Sequence, residues 1–135
     1  MFDIEICESR SISLVSFYGD ISNRDFADLD RIARSRSDPR GFHVIYDMSR
    51  VEVNNLVTDF VASRGQLPQT FKEFERFYVV PQHDLKLLVK LYIAYQEAQG
   101  WRPPVMVETL DEALKRLGVE RSEFRKLPAT LPGLL

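Results

Sequence analysis

The chain has 135 residues, of which 44% are hydrophobic and 28% are charged, with a formal net charge of -2. This length fits one domain with a single core, and the composition is that of a globular protein rather than a disordered or fibrous one. The small net charge argues against a chain that is drawn as a whole to nucleic acid or to an anionic membrane surface.

Cysteine content, the first residues and hydropathy indicate the compartment. The single cysteine, Cys7, excludes an internal disulfide and favours a reducing environment. The first five residues alternate apolar and acidic side chains, and they lack the basic start and apolar run of a secretory signal. No apolar stretch approaches the length that crosses a bilayer. The sequence therefore predicts a soluble, cytoplasmic protein without a membrane span.

Strand-like and helix-like periods alternate along the first half of the chain. Residues 2–7 and 11–18 are two strand-like segments separated by a short turn, which predicts an antiparallel hairpin. A helix is expected to follow from an N-cap at Ser22, because apolar residues then recur at helical spacing. The nearly continuous apolar run 42–48 predicts a central strand that is buried on both faces.

The second half continues the same alternation. Asn54 or Asn55 is expected to cap a second helix. Residues 77–80 and 105–107 predict two further strands, and residues 85–98 predict a long helix between them. The closing helix begins with a capping box, in which a threonine hydroxyl and a glutamate three residues later satisfy each other's backbone amides.

The predicted order of elements is therefore β-β-α-β-α-β-α-β-α. Strands that alternate with helices favour right-handed crossovers and a mainly parallel sheet covered by helices, here with an N-terminal antiparallel hairpin. The sequence predicts one α/β domain over residues 1–118 and a C-terminal tail over residues 119–135.

Four short motifs follow the chain in the order typical of one known family. They are Phe17-Tyr18-Gly19-Asp20-Ile21, Val44-Ile45-Tyr46-Asp47-Met48-Ser49-Arg50-Val51, Tyr78-Val79-Val80-Pro81 with the later Leu88 and Leu91-Tyr92, and Thr109-Leu110-Asp111-Glu112-Ala113-Leu114. Together they resemble the STAS / SpoIIAA-like family of anti-sigma-factor-antagonist and lipid-binding-like domains. The resemblance spans most of the predicted domain, and it implies an α/β fold and a regulatory role through protein binding.

One position departs from this resemblance. Anti-sigma antagonists of the family carry a phosphorylatable serine in a D-S-S-G run after the central strand. Asn55 and Leu56 stand where the aspartate and the switch serine would be. Thr58 is the only nearby hydroxyl, and it is expected to lie further into the helix. The resemblance therefore implies the fold better than it implies the phospho-switch.

The sequence offers few catalytic or metal-binding patterns. It has no glycine-rich phosphate loop, and two histidines with one distant cysteine do not make a usual zinc set, so no cofactor and no metal are expected. Asp47 ends the predicted central strand, where open α/β sheets bind ligands. The commoner role of such an aspartate is to accept backbone amides in the following loop at Ser49.

His83 and Asp84 follow the next predicted strand, at the same end of the sheet as Asp47. A histidine beside a carboxylate could act as an acid or a base near neutral pH. The simpler interpretation, which we favour, is a solvated histidine followed by an aspartate that opens the helix.

The helix predicted over 85–98 has more apolar surface than one buried stripe needs. Leu85, Val89 and Tyr92 are expected on an outer face, which would serve as a homodimer or partner interface or as the wall of a ligand pocket. Alternatively, the C-terminal tail covers that face through Phe124, Leu127, Leu131, Leu134 and Leu135. The inner face is expected to comprise Leu87, Leu88, Leu91, Ala94, Tyr95 and Ala98.

Three functions are compatible with these patterns. The first is a non-enzymatic regulatory or interaction module that binds a protein partner or a second copy of itself. The second is a carrier of a small apolar or lipid-like ligand in a pocket near Phe60, Phe71, Phe74 and Tyr92. The third is an enzyme that uses Asp47 and His83. No nucleic-acid partner is expected, because glutamates interleave with the basic residues of the last helix and tail.

Overall fold

The structure is a computed structural model that describes residues 1–36, 41–68 and 74–127. The α/β class predicted from the sequence is confirmed. In chain order the elements are β1 (Phe2–Cys7), β2 (Ile12–Ile21), α1 (Asn23–Arg36), β3 (His43–Asn54), α2 (Thr58–Gly65), β4 (Arg76–Val79), α3 (His83–Ala98), β5 (Val105–Val107), α4 (Leu110–Leu117) and β6 (Arg125–Lys126), with 3-10 turns at Glu8–Arg10 and Arg121–Glu123. Across the described ranges, no helix has the length and apolar character needed to span a membrane.

The strands form one mixed sheet in the order β5-β4-β3-β2-β1-β6. β2, β3, β4 and β5 are parallel neighbours, whereas β1 pairs antiparallel with β2 and with β6. Each crossover from β2 to β5 moves to the next strand in the same direction. Right-handed connections of this kind place their helices on one side of a sheet. We call the side covered by α1, α2 and α3 the helical face, and the side covered by α4 the opposite face.

Aromatic rings dominate the core of the helical face. Neighbouring rings lie 4.7 to 6.3 Å apart between centroids. Ring pairs at such distances stabilise a core by about 0.5–1.5 kcal/mol beyond their burial. The rings form two runs, Phe2, Phe17, Phe26 and Phe60 towards β1 and Tyr46, Tyr78 and Tyr92 towards β4.

The opposite face is covered by the end of the chain. α4 packs on β4 and β5, and Ala113 and Leu114 are buried there. Val119 and Phe124, which follow the predicted domain, belong to the same core, and β6 pairs with β1. The described residues after 118 therefore pack onto the domain.

Those residues do not cover α3. Phe124 is buried on the opposite face, whereas α3 packs on the helical face. The amide of Leu127 donates to the carbonyl of Ile4 at 2.9 Å, which places this residue at the β1 edge of the sheet. α3 connects β4 with β5 at the other edge. The predicted cover by Leu131, Leu134 and Leu135 lies outside the described residues.

β3 is longer than the apolar run 42–48 indicates. Residues up to Asn54 pair with β2, but β3 has an extra residue between Asp47 and Arg50 and another between Val51 and Val53. These are β-bulges, which twist a strand and change the direction of its side chains. The sequence prediction stopped too early because the bulges break the alternation of polar and apolar residues.

The second helix accordingly begins later than predicted. The Oδ1 of Asn54 accepts from the amide of Leu56 at 3.0 Å and closes a turn instead of capping a helix. Val57 is the N-cap residue, so the predicted caps were wrong, and Thr58 is the first helical residue rather than a deeper one. For α4 the predicted N-cap is confirmed, because the Oγ1 of Thr109 accepts from the Glu112 amide at 3.3 Å. The return hydrogen bond of the predicted capping box, from the Thr109 amide to the Glu112 carboxylate, is not found among the described residues.

α3 also meets the sheet with a different face from the one predicted. Leu85 and Val89 are buried, at 1% and 5% exposure, whereas Leu87 is 56% exposed and Ala94 is exposed. The prediction was wrong because both apolar stripes satisfy the helical period. Gln96 is fully buried, and its side-chain amide donates to carbonyls at the end of α2. These hydrogen bonds form only when this side of α3 faces the rest of the domain.

Candidate functional site

Asp47 is buried on the opposite face and is part of β3 rather than its end. Its Oδ1 accepts from the Ser49 amide at 3.0 Å and from the Ser49 hydroxyl at 2.7 Å. This confirms the prediction that Asp47 holds the Ser49 backbone, although the held segment is a β-bulge instead of a loop. The carboxylate therefore has a structural role in shaping β3.

The register places two further polar side chains in line with Asp47. Ser16 of β2 pairs with Asp47, and Asp3 of β1 pairs with Ser16. We call Asp3, Ser16 and Asp47 the polar row. Ser16 is buried at 6% exposure and Asp47 at 8%. Adjacent strands lie about 4.8 Å apart, so the row presents two carboxyl groups on either side of one hydroxyl.

The sheet lacks the crevice that makes this kind of position a ligand site. Open α/β sheets bind ligands where the strand order reverses and neighbouring crossover helices lie on different faces. Among the parallel strands β2 to β5 the order does not reverse. Asp47 also faces away from α1, α2 and α3. The topological reason for expecting a ligand at Asp47 is therefore absent from the described sheet.

His83 and Asp84 are the first two residues of α3, and both are exposed. The predicted helix start at Asp84 is thus one residue late. α3 packs on the helical face, whereas Asp47 lies on the opposite face. The structure does not bring Asp47 and His83 onto one face of the sheet, so the acid–base pair suggested by the sequence does not form there.

The predicted contact residues that surround the start of α2 and of α3 do come together. The Nδ2 of Asn54 donates to the Oδ2 of Asp84 at 3.4 Å, which joins the β3–α2 loop to α3. We call residues 54–58 and 83–84 the loop–helix surface. Val57 within it is 54% exposed. Its exposed polar side chains are those of Asn55, Thr58, His83 and Asp84.

An apolar cleft lies between α1, α2, α3 and the helical face. Its volume is about 30 Å³, which is room for about one water molecule. Phe60 and Tyr92 line it, as the hypothesis of an apolar pocket requires. Other walls are formed by Phe26, Met48, Tyr78 and Leu88.

Among the described residues that line this cleft, the one cation is held by an aspartate. Arg64 donates to both carboxylate oxygens of Asp30, at 2.7 and 2.8 Å, and lies 5.0 Å from the ring centre of Phe26. Burial lowers the pKa of Arg64, but the hydrogen bonds to Asp30 together with the electrostatic interactions with Tyr78, Asp30 and Tyr46 raise it above its ordinary value. Arg64 is therefore permanently charged and already paired, and it joins α1 to α2.

Phe74 lies away from the cleft, against His43. The two ring centres are 4.8 Å apart in an edge-on arrangement, and the Nδ1 of His43 accepts from the Glu75 amide at 2.9 Å. Burial lowers the pKa of His43, nearby Glu75 opposes this shift, and Arg102 adds to it. The imidazole is therefore held neutral, with its proton on Nε2. Phe71 lies outside the described residues.

Sequence patterns did not predict the buried polar network beside α3. Arg76 donates to the Tyr92 hydroxyl at 2.8 Å and to the Oε1 of Gln96 at 3.0 Å. The Nε2 of Gln96 donates to the carbonyls of Gly65 at 2.7 Å and Leu67 at 2.8 Å. A glutamine within an apolar helix is the one signal that could have revealed this network.

The same packing keeps a tyrosine neutral and requires a glycine. Burial raises the pKa of Tyr78 well above its ordinary value, and the neighbouring phenols of Tyr92 and Tyr46 add to the shift. A Cβ atom at Gly65 would lie 2.7 Å from the Cβ of Tyr95. Glycine therefore allows the close approach of α2 to α3 that brings its carbonyl to the glutamine.

Gln82 fixes the bulged part of β3. Its Nε2 donates to the carbonyls of Met48 at 2.7 Å and Val51 at 3.2 Å. Its Oε1 is the one buried side-chain oxygen or nitrogen without a hydrogen-bond partner in the described part of the chain.

Within residues 1–36, 41–68 and 74–127, no group of three or more histidine, cysteine, aspartate or glutamate residues is placed to hold a metal ion.

Neither a protein-family model nor a curated protein sequence matches this chain. Its function has to be inferred from its own residues.

Proposed function

We propose that the chain is a non-enzymatic interaction module of the STAS-like kind, which binds a protein partner through the loop–helix surface. The family resemblance carried by the four sequence motifs supports a regulatory role of this sort. The departure at Asn55 and Leu56 removes the switch serine but leaves the surface around it available for contact. The partner therefore recognises the surface without a phosphoryl group.

The observation that carries the proposal is the clustering of exposed groups around the hydrogen bond between Asn54 and Asp84. Val57 is 54% exposed, although burial of a valine side chain would stabilise the folded protein. The Thr58 hydroxyl, the Asn55 amide, the His83 imidazole and the Asp84 carboxylate are exposed on the same surface. An apolar centre with a polar, hydrogen-bonding rim is the usual anatomy of a protein interface.

The other two functions have weaker support. An enzyme using Asp47 and His83 would need these side chains on one face, and they lie on different sides of the sheet. A carrier would need the volume of the cleft to increase from about 30 Å³ by about tenfold or more, because pockets for drug-sized ligands measure about 300–1,000 Å³. A protein contact requires neither rearrangement.

Site-specific photocross-linking in cells tests the proposal. A benzophenone amino acid replaces Thr58 on the loop–helix surface, and a control carries it at Lys115, which is exposed on α4. We expect a discrete adduct from position 58 that is absent from position 115. Co-expressed wild-type chain should compete with its formation, whereas a co-expressed Val57→Asp chain should not.

Mass spectrometry of the adduct identifies the bound protein. Adducts of equal yield from both positions, or competition by the Val57→Asp chain, would contradict the proposal. The absence of an adduct at position 58 would also contradict it. An adduct that contains only peptides of this same chain would show self-association at this surface in place of a separate partner.

A further inference from the structure

The outer side of α3 carries an apolar stripe that no described part of the chain covers. Leu87, Leu91, Ala94 and Ala98 follow one another at spacings of four, three and four residues, which is the spacing of a coiled-coil seam. We call these four residues the α3 seam. Leu87 is 56% exposed, Ala94 and Ala98 are exposed, and Leu91 is half-buried.

The seam lies directly across the helix from the buried side. In the heptad that places Leu87 and Leu91 at the two seam positions, Val89 and Gln96 fall at the position furthest from the seam. They are 5% and 0% exposed. The helix is therefore fixed to its own domain by one side and presents the seam outwards.

Two copies of the α3 seam are complementary to each other when the two helices run antiparallel. An antiparallel second helix, with a two-fold axis between Leu91 and Ala94, brings Leu87 next to Ala98 of the other copy and Leu91 next to its Ala94. Each leucine then meets an alanine. Alternation of large and small side chains allows two helices to interdigitate at close distance.

The charges that flank the seam have the same symmetry. Lys90 and Glu97 are both exposed, and they occupy the same flanking position of successive heptads. In the antiparallel arrangement Lys90 of each copy lies beside Glu97 of the other, so two opposite-charge pairs form. Within the described residues, no ion pair occupies either side chain.

We propose that the α3 seam is a self-association surface, on which a second copy of this chain packs with its α3 antiparallel to the first. This goes beyond the proposed partner binding, because it uses a different side of α3 and a different occupant. One helix of four turns buries less than the roughly 1,200 Å² of a specific stable interface. The dimer is therefore weak and reversible.

Sedimentation velocity of the full chain over micromolar to millimolar concentrations measures the association. We expect Leu87→Asp to abolish dimerisation without unfolding the chain, because this side chain is exposed. We expect Lys90→Glu to weaken the dimer about 10-fold, since it replaces two attractive pairs with two repulsive ones. The double variant Lys90→Glu/Glu97→Lys should return to within about 3-fold of the wild type.

Disulfide trapping tests the direction of the second helix. Chains that carry Leu87→Cys are mixed with chains that carry Ala98→Cys under mild oxidation. The antiparallel arrangement predicts preferential formation of the mixed disulfide between positions 87 and 98. Cys7 is buried and does not compete.

The two measurements together decide the proposal. A monomer at millimolar concentration, a dimer unaffected by Leu87→Asp, or preferential 87–87 and 98–98 disulfides would each overturn it. Lys115→Glu on α4 is the matched charge control, and it should leave the association unchanged. These outcomes are independent of cross-linking at Thr58, so self-association and partner binding succeed or fail separately.

Discussion

The two faces of the sheet are built from alternate residues of the same strands, yet they differ in kind. The helical face is aromatic, and it holds a hydrogen-bonded network around Gln96 and Arg76. The opposite face is mainly aliphatic beneath α4, with Phe77 and Phe124 as its aromatic members, and it carries the polar row. In β2, Val15 and Phe17 point to the first face, and Leu14 and Ser16 point to the second.

The difference follows from the direction of the crossovers. Three successive right-handed connections that advance in one direction deposit three helices on the same face. Only α4 and the segment that follows it remain for the other face. A face covered by three helices has little contact with solvent, so most of its buried polar groups form hydrogen bonds within the protein. A face covered by one helix can keep carboxyl groups at its margin.

The largest effect is expected at the centre of the helical face, from Gln96→Leu. The substitution leaves the carbonyls of Gly65 and Leu67 without this donor, whereas Arg76 keeps the Tyr92 hydroxyl and the Arg102 carbonyl as acceptors. Each buried unsatisfied group costs about 1–3 kcal/mol. We expect the free energy of unfolding to fall by about 3 kcal/mol or more. Urea denaturation followed by circular dichroism measures it. Gln99→Leu, at an exposed position one turn later, is the control and should change stability by less than about 0.5 kcal/mol.

A smaller effect is expected on the opposite face, from Asp47→Ala. The Ser49 amide and hydroxyl lose their acceptor, but both lie next to solvent, so we expect a loss of about 1 kcal/mol. Asp47→Asn keeps the acceptor and should remain close to wild type in the same urea titration. If Asp47→Ala cost as much as Gln96→Leu, the two faces would not differ as described.

The smallest effect concerns pH and His43, at the start of β3. Its folded-state pKa is lowered, so the unfolded chain takes up a proton first as the pH falls. Stability from this residue is intact above the unfolded pKa of about 6.5 and is lost as the pH falls through the lower folded value. His43→Asn retains an acceptor for the Glu75 amide and should flatten the dependence of the unfolding free energy on pH as the pH falls below the unfolded pKa of about 6.5.

The matched control for this measurement is His83→Asn, because His83 is exposed on the first turn of α3. The pH profile of that variant should follow the wild type. A profile that flattens with His83→Asn and not with His43→Asn would assign the proton uptake to the other histidine.

Part of the candidate site could be predicted from the sequence. The hydrogen bonds from Ser49 to Asp47 were expected because acceptor and donors are two residues apart, and such contacts need no knowledge of the fold. The hydrogen bond between Asn54 and Asp84 could not be predicted from local spacing, because 30 residues separate them. The parallel sheet brings the two residues together. The buried role of Gln96 was missed for the same reason, since its partners belong to α2 and β4.

Local periodicity and capping chemistry determined by themselves that this chain alternates strands with helices, and they located α4 and β5 closely. These features depend on residues a few positions apart, which the sequence displays directly. Only the tertiary structure decided which apolar stripe of α3 is buried, how far β3 extends and which face each polar group occupies. Two stripes of one helix are equally hydrophobic in isolation, and the choice between them is made by packing and hydrogen bonds to segments distant along the chain.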